Sequence, residues 1–337
     1  MAGTIQIRQE KQNMLTDRFS RVINYLRISI TDRCDLHCKY CVEKDFPFIP
    51  HDEILRYEEI IRFVRIMADL GVTKVRLTGG EPLRRKDLPF LLHEIAGIEG
   101  IDDISLTTNG VSLGEKVLEL KAAGLRRVNI SLDSLKRERF SFITGVDAYD
   151  KVLDSIQKAK SAGLCPVKIN TVIIKDFNDD EVLDFVDFAK TENVEVRFIE
   201  FMPFGDTGIW DSSKVFTSAE LEALIKKTYD LVPSVNSHRG PARMFSIPGY
   251  RGKIGFISPI SQHICSECNR LRLTSDGKIK PCLFSDAEYD VKSLMRGGKS
   301  DRQIAQYVEE VVRVKPEKKF ESGVIRKCQR SMRGTGG

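Results

Sequence analysis

Short runs rich in Ile, Leu and Val alternate with longer amphipathic segments over roughly the first 200 residues. The runs "YLRISI" (25–30), "VTKVRLTGG", "IDDISLTTNG", "RRVNISLD", "PVKINTVII" and "EVRFIEFMP" predict six strands. Between them, apolar positions at helical spacing in "YEEIIRFVRIMADLG", "KDLPFLLHEIAG", "EKVLELKAAGL", "YDKVLDSIQKAKSAG" and "DEVLDFVDFAKTENV" predict helices, the first ended by Gly71. Asn109-Gly110 marks a turn after the third strand. Six βα repeats with apolar strands imply a parallel sheet covered by helices. Their number favours an incomplete (βα)6 TIM-type barrel over the full eight-stranded form. Chemistry in such folds gathers at the C-terminal ends of the strands. The unusual segments "TDRCDLHCKYC", "TGGEP", "TTNG", "SLDS" and "EFMPFGDTG" all fall there.

The repeat breaks at about residue 205. A helix "SAELEALIKKTY" follows, then short strands in "RMFSIPGY", "KIGFISP" and "LRLTSDGKIKPCL", the last with a hairpin at Asp276-Gly277. "RQIAQYVEEVVRVK" reads as helix and "RKCQRSMRGTGG" as a flexible tail. The expected organisation is a partial barrel over 1–205 and a smaller α+β module over 206–337.

Composition narrows the class. With 337 residues and 41% hydrophobic content the chain can bury a sizeable core. No apolar run nears the ~18 residues of a membrane helix. The polar N-terminus, with Glu10 and Asp17, lacks the apolar centre of a secretory signal, so a cytoplasmic location is the default. A net charge of +5 is too small to imply nucleic-acid binding, but suits an anionic small molecule if the charges converge.

Six of the eight cysteines form two triplets, Cys34/Cys38/Cys41 and Cys265/Cys268/Cys282, while Cys165 and Cys328 stand alone as ordinary small thiols. Structural zinc wants four ligands. A four-iron cluster takes one ligand per iron, so three thiolates leave one iron open. Each triplet is therefore either an incomplete zinc site or a cluster with a free coordination position. His37 and His263 are the histidines near enough to complete a zinc site.

The C-x3-C-x2-C spacing, with Tyr40 before the last cysteine, is similar to the motif of the radical S-adenosylmethionine (SAM) superfamily. "TGGEP" after the second strand resembles that superfamily's second signature. "CSECNRLRLTSDGKIKPCL", "GVTKVRLTGGEPL", "RFIEFMP" and the terminal Gly336-Gly337 narrow the resemblance to the GTP 3′,8-cyclase family of molybdenum cofactor biosynthesis, over roughly residues 17–337. The resemblance implies two [4Fe-4S] clusters, one on each triplet. SAM on the open iron of the first would yield a 5′-deoxyadenosyl radical that takes the C3′ hydrogen of GTP. Closure onto C8 would give 3′,8-cyclo-7,8-dihydro-GTP, the reaction of a radical SAM lyase.

By the same resemblance Tyr40, Gly80, Ser131 and Met202 surround SAM. Arg27, Arg76, Thr107, Lys168 and the stretch Arg270, Leu271, Arg272 hold GTP, with the guanine on the second cluster. Thr107 is placed only to within one position of Thr108, and Lys74 and Arg197 are candidates for further contacts. No G-x-x-x-x-G-K-[ST] loop is present, so the triphosphate needs such strand-borne cations. The Gly336-Gly337 end is implied to reach the active site. Implied partners are GTP, an electron donor and a downstream cyclic pyranopterin monophosphate synthase, without nucleic acid or membrane; a homodimer is allowed. Asp35, Leu36 and Val42 depart from the residues usual in the family, but none is a ligand. The competing expectations are a radical SAM peptide-modifying enzyme with an auxiliary cluster, and a non-catalytic zinc-binding protein.

Overall fold

The computed structural model describes residues 14–42, 47–205, 207–234, 240–262, 265–319, 325 and 327–335. Its strands are β1 (Tyr25–Ser29), β2 (Lys74–Thr78), β3 (Asp103–Thr108), β4 (Arg127–Ser131), β5 (Lys168–Ile173), β6 (Glu195–Glu200), β7 (Val232–Pro233), β8 (Arg243–Ser246), β9 (Lys253–Ile257), β10 (Arg270–Leu273), β11 (Lys278–Lys280) and β12 (Tyr289–Asp290). Its helices are α1 (Tyr57–Asp69), α2 (Leu88–Ala96), α3 (Leu113–Ala122), α4 (Arg137–Thr144), α5 (Tyr149–Ser161), α6 (Val182–Glu192), α7 (Ser218–Lys226), α8 (Lys292–Arg296), α9 (Asp301–Arg313) and α10 (Met332–Thr335). All six expected βα strands are present, and the hairpin at Asp276-Gly277 joins β10 to β11.

One sheet of twelve strands runs β12-β11-β10-β1-β2-β3-β4-β5-β6-β9-β8-β7. β1 to β6 pair in parallel in chain order. β10 adds to β1 and β9 to β6, again in parallel. The end strands β12 and β7 are not neighbours in this order, so the barrel is incomplete. The segment after 205 therefore extends both edges of the barrel sheet.

Strand faces differ more than an apolar parallel sheet would suggest. One face carries Leu26, Ile28, Val75, Leu77, Ile104, Leu106, Val128, Ile130, Ile169, Val196 and Phe198, all in the hydrophobic core. Successive side chains of a strand point to opposite faces. The other face thus carries Tyr25 and Arg27, Lys74 and Arg76, Ser105 and Thr107, Asn129 and Ser131, Lys168 and Asn170, and Arg197. The register aligns Arg272, Arg27, Arg76, Ser105 and Arg127 across five strands. This polar face is the inner wall of a cavity.

Two sequence expectations need correction. Residues 137–144 form α4, which the alternation of longer elements did not reveal. The tail is not wholly loose: Cys328 is buried, α10 follows, and Arg333 is 3% exposed. Gly336-Gly337 and His263 lie outside the described residues. Among those described, no helix is long and apolar enough to cross a membrane.

Candidate functional site

The loop after β1 carries the first triplet, and three neighbouring segments hold it. Gly80 N–H donates to Thr31 O (2.6 Å) and Glu81 N–H to Arg33 O (2.7 Å), so "TGGEP" lies edge-on against the approach to Cys34. A Cβ on Gly80 would collide with Arg33 O and come within 2.7 Å of Asp32 O, which explains the glycine. The last turn of α4 offers Thr144 O to His37 N–H (2.8 Å) and Ile143 O to Lys39 N–H (2.9 Å). From the far end of the chain, Arg333 donates to Leu36 O at 2.6 Å. His37 is exposed, consistent with a loop residue.

Two buried carboxylates, not singled out by sequence, tie these segments together. Glu81 accepts from Leu83 N–H (3.0 Å), Thr108 Oγ1 (2.8 Å) and Asn109 N–H (2.7 Å). Burial outweighs those bonds and pushes its carboxyl up to about 7. Asn109 Nδ2 in turn donates to Asp35 Oδ1 (2.6 Å) and lies 3.8 Å from Cys34 Sγ. Asp133 accepts from the Tyr40 hydroxyl (2.5 Å) and from Val172 N–H (2.9 Å), and burial pushes it up to about 6. The only signal for either was its place in a quoted motif, "TGGEP" or "SLDS".

All six clustered cysteines are free and half-buried. Around the first triplet, burial raises each thiol, and neighbouring thiols add to the effect at Cys38 and Cys41, the latter reaching about 12. Metal binding there would release the thiol protons. Three cysteine thiols at each triplet are the donor set of a four-iron cluster that keeps one iron open, so the residues present fit such a group.

The second triplet lies in the wall of the inner cavity, which has a volume of about 240 Å³ and is partly open to solvent. Among the described residues, eleven that line it are Lys or Arg, and one, Asp103, is acidic. Arg27, Arg76, Lys168, Arg270, Arg272, Lys74, Arg197 and Met202, all expected from sequence, are among them. Arg127, Arg243, Lys315 and Lys319 are further cations that sequence did not single out. Burial, then the Arg197 charge, brings Lys168 down to about 7. At Cys268 burial pulls the thiol up, but Arg270 and Lys315 prevail and bring it to about 6.

Thr107 shares the cavity-side face of β3 with Asp103 and Ser105, and its buried hydroxyl has no hydrogen-bond partner among the described residues. Thr108 faces away, its hydroxyl donating to Glu81. Ser131, half-buried, ends β4 on the inner face. The Leu271 side chain is fully buried in the hydrophobic core because it alternates with Arg270 and Arg272, so only its backbone is left to meet a ligand. Tyr40, Gly80 and the first triplet do not line this cavity; they lie at the rim loops.

Residues 28–189 match the radical SAM superfamily model, and 194–321 match the model described as Molybdenum Cofactor Synthesis C. The GTP 3′,8-cyclase of Thermodesulfovibrio yellowstonii is 47% identical over 306 residues, covering 90% of this chain and 95% of that one. That of Moorella thermoacetica is 47% identical over 312 residues, covering 92% and 96%. The structure of Streptococcus suis SuiB bound to precursor peptide SuiA is similar in fold, with TM-score 0.58 and 17% identity over 89% of this chain and 67% of that one. SuiB bound to S-adenosylmethionine gives TM-score 0.55 at 17% identity, covering 81% of this chain and 62%, under two thirds, of that one.

Proposed function

The chain belongs to the GTP 3′,8-cyclase family of the radical SAM superfamily, and from that membership we propose that it converts GTP to 3′,8-cyclo-7,8-dihydro-GTP in molybdenum cofactor biosynthesis. The observation that carries the reading is the cavity, with a cysteine triplet in its wall and, among the described residues, eleven cations against one carboxylate. Such a lining suits a nucleoside triphosphate.

Cys34, Cys38 and Cys41 would hold one [4Fe-4S] cluster, with SAM against Tyr40, Gly80, Ser131 and Met202. Cys265, Cys268 and Cys282 would hold the other, beside the guanine. When bound, the first cluster supplies the one-electron reduction of SAM that leads to hydrogen abstraction. The chain's own task is placement. Arg27, Arg76, Arg270 and Arg272 present guanidinium forks to phosphate oxygens, joined by Lys168, Lys74 and Arg197. Thr107 supplies an uncommitted hydroxyl, and Leu271 at most its backbone. Held at two ends, the nucleotide presents its ribose in one orientation. Division at about 205 then separates the first triplet from the second, while contacts to GTP come from both sides of it. The cytoplasm, a low-potential electron donor and a synthase that consumes the cyclised nucleotide complete the setting.

The test is anaerobic turnover of reconstituted enzyme with GTP, SAM and a reductant. Equal amounts of 5′-deoxyadenosine and cyclised nucleotide are expected; 5′-deoxyadenosine without that product sinks the substrate assignment. Arg270→Ala and Arg272→Ala should each weaken GTP binding about tenfold or more, about 1.4 kcal/mol, while SAM cleavage persists.

A further inference from the structure

Arg21 stands outside both triplets and outside the cavity lining, yet it is only 6% exposed. Its Nε donates to Asp17 Oδ2 at 2.6 Å. Its Nη1 donates to Cys265 O (2.7 Å) and Glu317 O (3.1 Å), and its Nη2 to Pro316 O (2.8 Å). Asp17 is itself fixed, its other oxygen accepting from Phe19 N–H (2.9 Å) and Arg21 N–H (3.0 Å). One guanidinium therefore joins three segments that are far apart in sequence.

The carbonyl it grips is a particular one. Cys265 O also accepts from Cys268 N–H at 3.1 Å, the bond that closes the Cys-x2-Cys turn. The neighbouring Lys315, 2% exposed, donates to Arg270 O (3.0 Å) and to Pro281 O, flanking Cys268 and Cys282. Residues 315–317 thus form a bar that Arg21 grips from one side and that reaches the remaining cysteines from the other. A buried ion pair is weak evidence for stability, because desolvation offsets much of its attraction. A fork with several fixed donors is better suited to setting geometry.

We propose that Arg21 is a positioning residue for the second cysteine triplet. It holds the Cys265–Cys268 turn open to its cluster and registers the 315–317 bar behind Cys282. The inference rests on the reading that this triplet holds a cluster. It concerns how the metal-binding loop is held, and assigns Arg21 no contact with substrate.

The experiment compares wild-type chain with Arg21→Gln after anaerobic reconstitution, by iron analysis and by EPR of the reduced protein, each with and without SAM. Two clusters correspond to ~8 irons per chain. The variant is expected to fall to about half that iron, losing the second-cluster signal while the SAM-responsive first-cluster signal remains. Full iron with unchanged spectra in the variant overturns the proposal. Loss of both signals together also overturns it, since that marks a general stability role. If wild-type chain itself holds iron at one triplet only, the reading of the second triplet fails, a result distinct from either. Should the glutamine variant be insoluble, Arg21→Lys keeps the charge without the fork and is judged by the same outcomes.

Discussion

Lys168 sits on the cavity side of β5, with Glu195 Oε2 4.0 Å from its ammonium and that same carboxylate engaged by Arg197 at 2.8 Å. Burial and the Arg197 charge outweigh Glu195 and lower it from 10.5 to about 7. Between those values the unfolded chain binds more protons, so this residue makes stability rise as pH climbs from about 7 toward 10.5. A polyphosphate beside the amine reverses the balance and restores its charge. GTP binding at pH 8 should therefore take up as much as roughly 0.9 proton, falling toward none at pH 6. Calorimetry in buffers of different ionisation enthalpy reads this directly. Lys168→Met should abolish the uptake, and a buffer-independent enthalpy in wild type would refute it.

At the scale of elements, the rim is a set of loops that lock one another. Gly80 shows how tightly: the approach of its backbone to residues 31–33 leaves no room for a methyl group. Gly80→Ala should displace the start of the cysteine loop at about 1–3 kcal/mol of overpacking. SAM affinity should drop at least tenfold while GTP affinity holds; unchanged SAM binding would contradict this role. The strands and both triplets were legible because strand periodicity and cysteine spacing are local properties. The inner-face cations were legible for the same reason, since alternation alone puts Arg27 and Arg76 together. Glu81 and Asp133 were not, because their importance lies in what they bond across the sheet. Nor was α4, whose two C-terminal carbonyls matter through a loop a hundred residues earlier. Leu271 differs from its two neighbours because a motif names consecutive residues, whereas a strand turns alternate side chains to one face.

For the whole molecule, the decisive fact is that β9 and β10 complete the two edges of the first six strands. A chain cut at 205 would expose unpaired edges on β1 and β6 and lose the wall that carries Cys265, Cys268 and Cys282. Such a fragment should be recovered mainly as aggregate, and a monomeric, cooperatively melting fragment would show that the first segment folds alone. The two family models meet between residues 189 and 194, close to where β6 begins, but the sheet crosses that point without interruption.

The same strand order has a consequence in time. As the chain leaves the ribosome, β1 to β6 emerge complete while both strands that shield their flanks are still unmade. At ~5–20 residues per second, the remainder takes on the order of ten seconds to arrive. For that interval the nascent half-barrel carries two adhesive borders and an oxygen-exposed cysteine loop. Its period of greatest vulnerability precedes its first turnover, and chaperone capture or early loading of the first triplet belongs in that window.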